Sequence, residues 1–527
     1  MRKAFTRQII LLSGTAAVLF FLWCSKTPLG ISGEWTWDRI PYTNETKLDG
    51  FLGLLAAFVV GVLYVGYSWL GHSRLSEKTS ALSISGWIVG LMVLSFAWLG
   101  TIQEAPPGPY GSSKAIWVLY FPGSSGYFYK ARYEIEETSQ FLTDYESLMS
   151  EGDVLHVGTH PPGLFLLYRS LLEAAEQFPS LRKAILFTVP SQTAETLTLL
   201  SQQAKRSGKQ VGEVEQATLW WANLFTQFVA VATLIPLYLL LRINFSRLTC
   251  WKAIVFWPLI PALAIFLPKS DVLFPFVATT FLWLWLLGWR RNSILIMALA
   301  SVCLWSGLFL SLAFLPTLLL AVLLVLWDGY KSLPELDGIT IWKKLAVAGS
   351  CMLFVFVVMN LFLQVRYDLN LWNVWRLNYQ NHANFYGQFS RTYWKWLLVN
   401  PLELVFAAGF PLMAYVGTAI FKARKLTDET SRHNGPVWMC LVVWGLLLLS
   451  GKNMGEAARL WVILLPWLVW MAAFSFTANS TTNSQPLDRS DGQLAVHSKS
   501  WLLCLSLQMV ICLATVGRVH GFHFGSY

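Results

Sequence analysis

The sequence predicts an all-α fold, a polytopic bundle of transmembrane helices. Hydrophobic residues make up 55% of the 527 residues and charged residues only 13%, about half of the share that soluble globular proteins carry. The mean hydropathy is +0.50, and long apolar runs recur along the chain. A water-soluble fold cannot hide this much apolar surface, so a disordered chain, a disulfide scaffold and an ordinary soluble enzyme are excluded.

Thirteen stretches of the sequence reach or approach the length of a membrane-spanning helix, which is about 20 residues for a bilayer core about 30 Å thick. They are residues 8–24, 51–70, 84–101, 217–241, 251–268, 272–289, 294–310, 312–327, 343–364, 402–421, 437–450, 459–477 and 501–517. The partly apolar residues 161–177 and 183–200 form either a further pair of crossing helices or amphipathic helices in the membrane interface. We therefore expect about 13–15 spans.

The distribution of Lys and Arg predicts the orientation of the bundle. With a cytoplasmic N-terminus, the predicted inner segments hold 19 of these 39 residues and the short outer loops hold 11, in agreement with the positive-inside rule. No small-residue cleavage site follows the first apolar run, so we expect an uncleaved first helix. The predicted outer segments are residues 25–50, 102–216, 269–271, 365–401, 451–458 and 518–527.

The same patterning predicts the domain organisation. Residues 1–477 form one transmembrane domain, and residues 501–527 form a final transmembrane helix and an outer tail. Residues 478–500 are polar and rich in Ser, Thr and Asn, so we expect a flexible cytoplasmic linker. The expected location is the bacterial inner (plasma) membrane, as a multi-pass protein.

The net charge is +10, and basic residues of a membrane protein usually lie on cytoplasmic loops, where they fix its topology. The sequence has no basic run combined with a polar helix of the kind that binds nucleic acid. We therefore expect no nucleic-acid partner. The seven cysteines lie in or at the ends of apolar runs, without a CxxC or metal-ligand spacing, and are predicted to be small core residues. No cofactor is predicted; a divalent metal stays open, although no ligand spacing indicates one.

Residues 33–39, which follow the first predicted helix, read Gly-Glu-Trp-Thr-Trp-Asp-Arg. Glu34 and Asp38 are four residues apart and would share one face of a helix. A carboxylate between tryptophans in a partly dry site is suited to act as a general base. We favour Glu34, because Arg39 is adjacent to Asp38 whereas no cation is adjacent to Glu34. The alternative is an interfacial aromatic belt with loop charges.

The segment His160-Pro161-Pro162-Gly163 opens an apolar helix within the long outer segment 102–216. Proline in the first helical turn costs no hydrogen bond, so His160 is predicted at the N-cap, held by a stiff turn. The alternative is a plain helix start with an incidental histidine.

Two further outer segments combine charges with amides and aromatic rings. Lys269 and Asp271 lie between two predicted helices, where Asp271 either caps the following helix or works with Lys269 on a phosphate or a sugar hydroxyl. The predicted loop 372–396 suits sugar rings and phosphates, or else is an interfacial loop. Its candidate ligand-binding residues are Asn381, His382, Arg391 and Lys395.

A tight outer turn is predicted at residues 452–459. Glu456 and Arg459 are three residues apart, so we expect them to pair. Arg459 opens the following helix, where a cation opposes the helix dipole, and we expect an anionic partner such as a lipid phosphate.

These features together resemble the GT-C membrane glycosyltransferases. The branch in question contains the bacterial lipid A aminoarabinose transferase, the protein O-mannosyltransferases and related uncharacterised bacterial membrane proteins. Residues 126–131 (Gly-Tyr-Phe-Tyr-Lys-Ala), followed by residues 160–163, resemble the first outer loop of that branch. Residues 269–271 resemble the acidic site that it places between two later helices. The likeness covers the N-terminal two-thirds of the chain.

The resemblance implies a polyprenyl-phosphate sugar donor, a carboxylate base and transfer to a lipid, glycan or protein acceptor on the periplasmic or lumenal face. Residues 1–477 would then be the catalytic domain, with Glu34 or Asp38 as the base. The implied substrate-binding residues are His160, Lys269, Asp271, Asn381, His382, Arg391, Lys395, Glu456 and Arg459. Where the branch carries acidic residues before the Tyr of its first loop, this chain has Ser124-Ser125-Gly126.

Two alternatives stay open, a transporter or flippase of polyprenyl-linked lipids and a non-catalytic membrane assembly protein. A flippase requires polar groups near the middle of the membrane and broken helices, whereas the predicted central spans are nearly free of charge. The transferase interpretation predicts that the outer polar clusters line one cavity, and an assembly protein predicts no such convergence.

Overall fold

The computed structural model describes residues 2–151, 156–333, 337–424, 431–477 and 491–522. Helices dominate the described residues, which confirms the predicted all-α polytopic bundle. The chain divides into two compact units. Within the described residues, unit 1 comprises the chain up to Pro107, Val231–Ile265 and the chain from Trp394 onward, and unit 2 comprises Gly108–Ala230 and Phe266–Tyr393.

The helices are α1 (Arg2–Trp23), α2 (Lys47–Arg74), α3 (Ala81–Gln103), α4 (Lys114–Tyr120), α5 (Tyr127–Tyr133), α6 (Thr138–Thr143), α7 (Tyr145–Ser150), α8 (Gly163–Gln177), α9 (Pro179–Phe187), α10 (Ser191–Arg206), α11 (Glu213–Ala232), α12 (Leu234–Arg242), α13 (Arg247–Ile254), α14 (Pro261–Phe266), α15 (Phe274–Arg291), α16 (Ile294–Leu310), α17 (Leu315–Ser332), α18 (Gly338–Tyr367), α19 (Leu371–Gln388), α20 (Tyr393–Ala408), α21 (Phe410–Ala423), α22 (Ser431–Leu449), α23 (Ala457–Leu460), α24 (Leu465–Phe476) and α25 (Asp491–Val516). Short 3₁₀ turns are Gly108–Tyr110, Val157–Thr159, Trp257–Leu259, Ser270–Leu273, Leu312–Phe314 and Val462–Leu464. The strands are β1 (Leu29–Ile31), β2 (Trp35–Arg39) and β3 (Val519–His520).

Seven helical stretches of the described residues are long and apolar enough to cross a membrane. They are Lys47–Arg74, Ala81–Gln103, Glu213–Arg242, Ser270–Arg291, Leu312–Ser332, Gly338–Tyr367 and Lys499–Val516. The bent pair α20–α21 is an eighth if its two helices form one span. The prediction of a polytopic chain is confirmed, but the predicted 13 to 15 spans exceed this number.

The difference arises because several apolar runs form short or broken helices. Four of them form helices of 10–17 residues, Gln8–Trp23, Ile294–Leu310, Asn434–Leu449 and Val462–Phe476. Residues 251–268, which the sequence predicts as one span, form part of α13, a 3₁₀ turn and α14 instead. Pro258 and Pro261 fall at the breaks, where a proline removes a backbone donor and clashes with the preceding turn.

Side chains of unit 1 satisfy the backbone that this break exposes. The Tyr64 hydroxyl donates to the Val255 carbonyl at 2.7 Å, and the Trp98 indole donates to the Pro258 carbonyl at 3.1 Å. Tyr64 and Trp98 are both fully buried. Non-helical backbone at membrane depth is tolerated only where protein groups satisfy it, so these two helices, α2 and α3, make the broken segment possible.

A three-stranded antiparallel sheet closes one end of unit 1. Strand β1 pairs with β2 through Gly30 and Thr36, and β2 pairs with β3 through Asp38 and His520. The sheet thereby joins residues of the segment 25–50 to Val519 and His520 of the segment 518–527. Both segments are predicted on the outer side, and their pairing agrees with that common side.

Gln508 of α25 holds the break between α20 and α21, which are bent by 114°. Its side-chain amide donates to the Ala408 carbonyl at 2.8 Å and accepts from the Leu412 amide at 3.1 Å. Gly409 lies between these two residues with a φ of +90°. The break therefore has a satisfied backbone and a glycine in a conformation that other residues rarely adopt.

Unit 2 combines short helices with a second set of long apolar ones. Helix α8 packs on α5, α15 packs on α16 and α17, and α16 packs on α18. Helices α8, α9 and α10 are not among the described helices that are long and apolar enough to span a membrane. This favours the amphipathic alternative for residues 161–200.

The predicted linker 478–500 is described only in part. Residues 478–490 lie outside the described residues, and α25 begins at Asp491. The described part of this segment is therefore helical. Of the predicted outer tail, residues 523–527 also lie outside the described residues.

Replacing Gly409 by alanine is expected to lower the free energy of unfolding by about 1–3 kcal/mol, because a Cβ at this positive φ is strained and would lie 2.3 Å from Gln508 Nε2. The matched control is Gly417→Ala in α21, where a Cβ meets nothing within 4 Å. Helix propensity predicts that this control is neutral or stabilising by up to about 1 kcal/mol. Thermal unfolding in detergent measures both, and equal midpoints would contradict this account of the break.

Candidate functional site

Helix α20 holds Glu34 at the end of unit 1 that carries the sheet. The indole of Trp396 donates to one carboxylate oxygen of Glu34 at 2.8 Å. The Lys395 ammonium lies 3.6 Å from the other oxygen. The Glu34 side chain is 13% exposed, so these two contacts orient a partly buried carboxylate that solvent still reaches.

A second carboxylate of α20, Glu403, reaches the same hairpin. The Trp37 indole donates to Glu403 Oε1, and Trp37 is buried. Glu403 is 8% exposed. Sequence reasoning missed this residue, although a single glutamate inside the apolar run 402–421 is a recognisable signal, because an ionisable residue at membrane depth is rarely there without a role.

Helix α20 also contacts the turn that carries Arg459. The Asn400 side-chain amide donates to the Asn453 carbonyl at 2.9 Å, and Glu403 lies close to the backbone amides of Ala457 and Ala458. The hairpin and this turn are therefore both fixed to one face of α20.

The predicted pairing of Glu456 with Arg459 is confirmed, since their side chains form an ion pair. Glu456 has a φ of +55° and precedes the four-residue helix α23. The prediction that Arg459 opens a long helix is wrong, because α23 ends at Leu460 and a 3₁₀ turn follows. A helix of four residues has little dipole for a cation to oppose. The ion pair with Glu456 therefore sets the position of the Arg459 guanidinium.

The helical geometry expected for residues 33–39 is wrong, because this segment is a hairpin. Glu34 lies in the turn between β1 and β2, and Asp38 is an exposed residue of β2. No cation is adjacent to Glu34 in the sequence, but Lys395 reaches it from a distant part of the chain. A turn and a strand replace the helix because Gly30 and Gly33 adopt positive φ angles.

Arg39, which is adjacent to Asp38 in the sequence, binds the C-terminal end of α1. Its guanidinium donates to the Phe21 and Leu22 carbonyls, each at 3.2 Å. Burial, together with the nearby Arg518 guanidinium, lowers the pKa of Arg39. Arg39 therefore satisfies carbonyls that the last turn of a helix leaves without partners.

In unit 2, His160 is not the N-cap of the following helix. Helix α8 begins at Gly163, and His160 has an extended backbone with φ −133° and ψ 147°. A residue before proline is driven out of the helical region, so two consecutive prolines delay the helix. A Cβ at Gly163 would lie only 2.5 Å from the Phe309 carbonyl oxygen. The glycine therefore allows this turn to pack closely against the backbone of α16.

Aromatic and hydroxyl groups surround the His160 turn. The Tyr145 hydroxyl donates to the His160 carbonyl at 2.6 Å. The His160 ring lies 3.2 Å, through Nδ1, from Thr159 Oγ1, and contacts the Tyr127 ring edge to face with centroids 5.7 Å apart. The backbone and the ring of His160 are thus both held by the protein.

The predicted loop 372–396 is largely helical, as α19 and the start of α20. Buried amides of α19 hold the His160 turn: Asn378 donates to the Thr159 carbonyl at 2.6 Å, and Asn381 donates to the Met149 and Gly158 carbonyls, both at 3.0 Å. Two of the amides that suggest a sugar site in the sequence, Asn378 and Asn381, therefore bind backbone carbonyls. His382 contacts Tyr386, with ring centroids 5.9 Å apart.

The remaining candidates of unit 2 lie on short connections. The Lys269 ammonium donates to the Ser124 carbonyl and is buried. Asp271 lies within the 3₁₀ turn Ser270–Leu273, and α15 has Leu273 at its N-cap, so Asp271 does not cap that helix. Arg391 donates to the Ser390 carbonyl at 3.3 Å.

Each unit thus gathers part of the predicted set. Unit 1 brings Glu34 and Lys395 together and fixes the Glu456–Arg459 pair to the same helix. Unit 2 brings Asn381 to the His160 turn. That all candidates line one cavity stays a prediction. Within the described residues, no group of three or more His, Cys, Asp or Glu side chains is arranged to hold a metal ion.

Neither protein-family models nor curated protein sequences give a match to this chain.

Asn381→Ala is expected to lower the free energy of unfolding by about 1–3 kcal/mol, because it removes two hydrogen bonds to buried backbone carbonyls. Asn384→Ala, an exposed asparagine of the same helix, is the matched control and is expected to be neutral. Thermal unfolding with limited proteolysis of the His160 turn measures the difference. An unchanged Asn381 variant would show that these bonds do not hold the turn.

Proposed function

We propose that the chain is a membrane glycosyltransferase, which moves a sugar from a polyprenyl-phosphate donor to an acceptor on the outer face. The observation that carries the proposal is the oriented, partly buried carboxylate of Glu34 at the polar end of an apolar helical unit, held by Trp396 and Lys395. The acceptor is a hydroxyl of a lipid, glycan or protein.

Glu34 acts as the general base in the proposed reaction. It takes the proton of the acceptor hydroxyl while the oxygen forms a bond to the anomeric carbon of the sugar. The bond from that carbon to the phosphate oxygen breaks, and the polyprenyl phosphate leaves with the electron pair. A carboxylate held by an indole and an ammonium is already oriented for this step.

Lys395, which is next to the base, and Arg459, on the turn fixed to the same helix, stabilise the departing phosphate in this proposal. Lys395 is 41% exposed and Arg459 is 24% exposed in their side chains, so both retain surface for a ligand. Charge-assisted contacts to a developing phosphate charge are the usual electrostatic contribution to such a step. Glu456 sets the direction of Arg459.

The proposed roles of the unit 2 residues are binding and positioning. His160 and Asp271 position the donor or the acceptor, and Arg391 binds phosphate as an alternative to Arg459. Lys269 and Asn381 hold backbone carbonyls, so their contribution is to fix the connections that carry these side chains.

A specific observation also favours the flippase alternative. Helices α20 and α21 form a pair bent by 114°, and the buried Glu403 of α20 lies six residues before Gly409 in the sequence. Broken helices with a polar residue are typical of transporters that move a substrate through the membrane. The experiment therefore includes a separate assay of lipid movement between the two leaflets.

A general base contributes about 100-fold or more to the rate of such a reaction. Glu34→Gln is therefore expected to reduce the rate of sugar transfer by at least about 100-fold while donor binding is retained. The amide keeps the shape of the side chain but cannot take a proton. The measurement uses purified protein in liposomes with a panel of labelled polyprenyl-phosphate sugars, and follows transfer and donor binding in parallel. Asp38→Asn, on the exposed strand β2, is the matched control and is expected to be milder.

Full transfer activity in Glu34→Gln would remove Glu34 as the base. A fluorescent polyprenyl lipid in the same liposomes tests the alternative, because a flippase moves it between leaflets without an acceptor. Lipid movement with no sugar transfer from any donor of the panel would contradict the transferase proposal.

A further inference from the structure

A cluster of basic and aromatic side chains lies at one end of unit 2, where α15 and α17 end and α18 begins. We name it the headgroup patch; its cations are Arg290, Arg291, Lys331, Lys343 and Lys344. The three helix ends belong to the segments that the charge distribution predicts on the cytoplasmic side. None of these residues takes part in the proposed transfer.

The patch is a built structure, since side chains join its three helices. The Trp289 indole of α15 donates to Asp328 Oδ2 of α17 at 2.8 Å. The Lys344 ammonium of α18 lies over the same indole, 4.2 Å from the ring centroid. Arg290 and Lys344 are both close enough to Asp328 for an electrostatic interaction. Trp289 and Asp328 therefore fix the positions of two of the cations.

The acidic residues of this region offset the positive charge of the patch only in part. In sequence, residues 327–344 contain three acidic residues against the five cations of the patch. Asp328 accepts from Trp289, and Asp337 caps α18 by accepting from the Thr340 amide at 3.0 Å; Glu335 lies outside the described residues. The patch keeps a net positive charge, and Arg290, Arg291 and Lys343 are exposed.

Large apolar side chains border the cations. Trp342 is 72% exposed, Leu295 72%, Tyr330 63% and Ile294 61%. The Lys331 ammonium lies over the Trp327 and Tyr330 rings. Exposed aromatic rings beside Lys and Arg at the ends of apolar helices are typical of the membrane–water interface.

We propose that the headgroup patch binds the phosphate of an anionic phospholipid, whose acyl chains cover the exposed apolar side chains of α16 to α18. A basic pocket between transmembrane helices on the cytoplasmic side suits such a headgroup. A free phosphate would satisfy the cations alone and leave Trp342 and Leu295 uncovered, so the lipid is the occupant that fits both features.

The test is a lipid titration of the purified full-length chain in detergent, with the thermal unfolding midpoint as readout. Phosphatidylglycerol is expected to raise the midpoint, whereas phosphatidylcholine and inorganic phosphate at equal concentration are not. Each cation near an anionic lipid contributes about fivefold in binding. The double variant Arg291→Gln with Lys343→Gln is therefore expected to require about 25-fold more phosphatidylglycerol for the same shift.

Both substituted residues are exposed, so the double variant is expected to fold, and Lys343→Arg should retain the wild-type response. The matched control is Lys205→Gln with Arg206→Gln, two exposed cations of α10, which should respond as the wild type does. A wild-type response in the Arg291–Lys343 variant, or an equal shift with phosphatidylcholine, would overturn the proposal. An equal shift with inorganic phosphate would replace the lipid by a free anion and would also overturn it.

Discussion

The polar end of unit 1 depends on the contact between Trp37 and Glu403. This hydrogen bond ties the hairpin to a buried position of α20, and a buried carboxylate requires such a partner because its desolvation is costly. With the hairpin fixed there, Glu34 reaches Trp396 and Lys395 two turns earlier on the same helix. The candidate base is therefore placed by a second carboxylate that does not itself contact it.

Satisfaction of the backbone is the other constraint on this fold. The chain breaks its apolar helices at residues 255–261 and at Gly409, and at each break side chains from neighbouring helices satisfy carbonyls or amides. In unit 2, amides of α19 do the same for the turn at His160. The amides of Gln508, Asn378 and Asn381 and the indole of Trp98 thus serve irregular backbone, which a bundle of uninterrupted helices would not contain.

The long apolar runs are the part of the fold that the sequence predicts well, because about 20 apolar residues leave few alternatives to a buried or spanning helix. The Glu456–Arg459 pair is also predictable, since the two residues are three apart in the chain. Local rules are sufficient for features of this kind.

The contacts of Glu34 are not predictable from its neighbours, because Trp396 and Lys395 come from about 360 residues away in the chain. The N-cap predicted at His160 is wrong because two prolines delay the start of α8 to Gly163. The sequence predicts a ligand for Asn381, whereas tertiary packing brings it to the carbonyls of Met149 and Gly158. Sequence patterns identify such polar groups but not what they bind.

A double-mutant cycle on Trp37→Phe and Glu403→Leu, neither of which keeps the donor or the acceptor of this bond, tests the central claim most directly, with the free energy of unfolding in detergent as the measured quantity. Residues in one buried hydrogen bond show interaction energies of about 0.5–3 kcal/mol, whereas independent sites add within about 0.5 kcal/mol. The account predicts a coupling of at least about 1 kcal/mol between the two substitutions. Additive effects would contradict it, because the hairpin would then be held independently of Glu403.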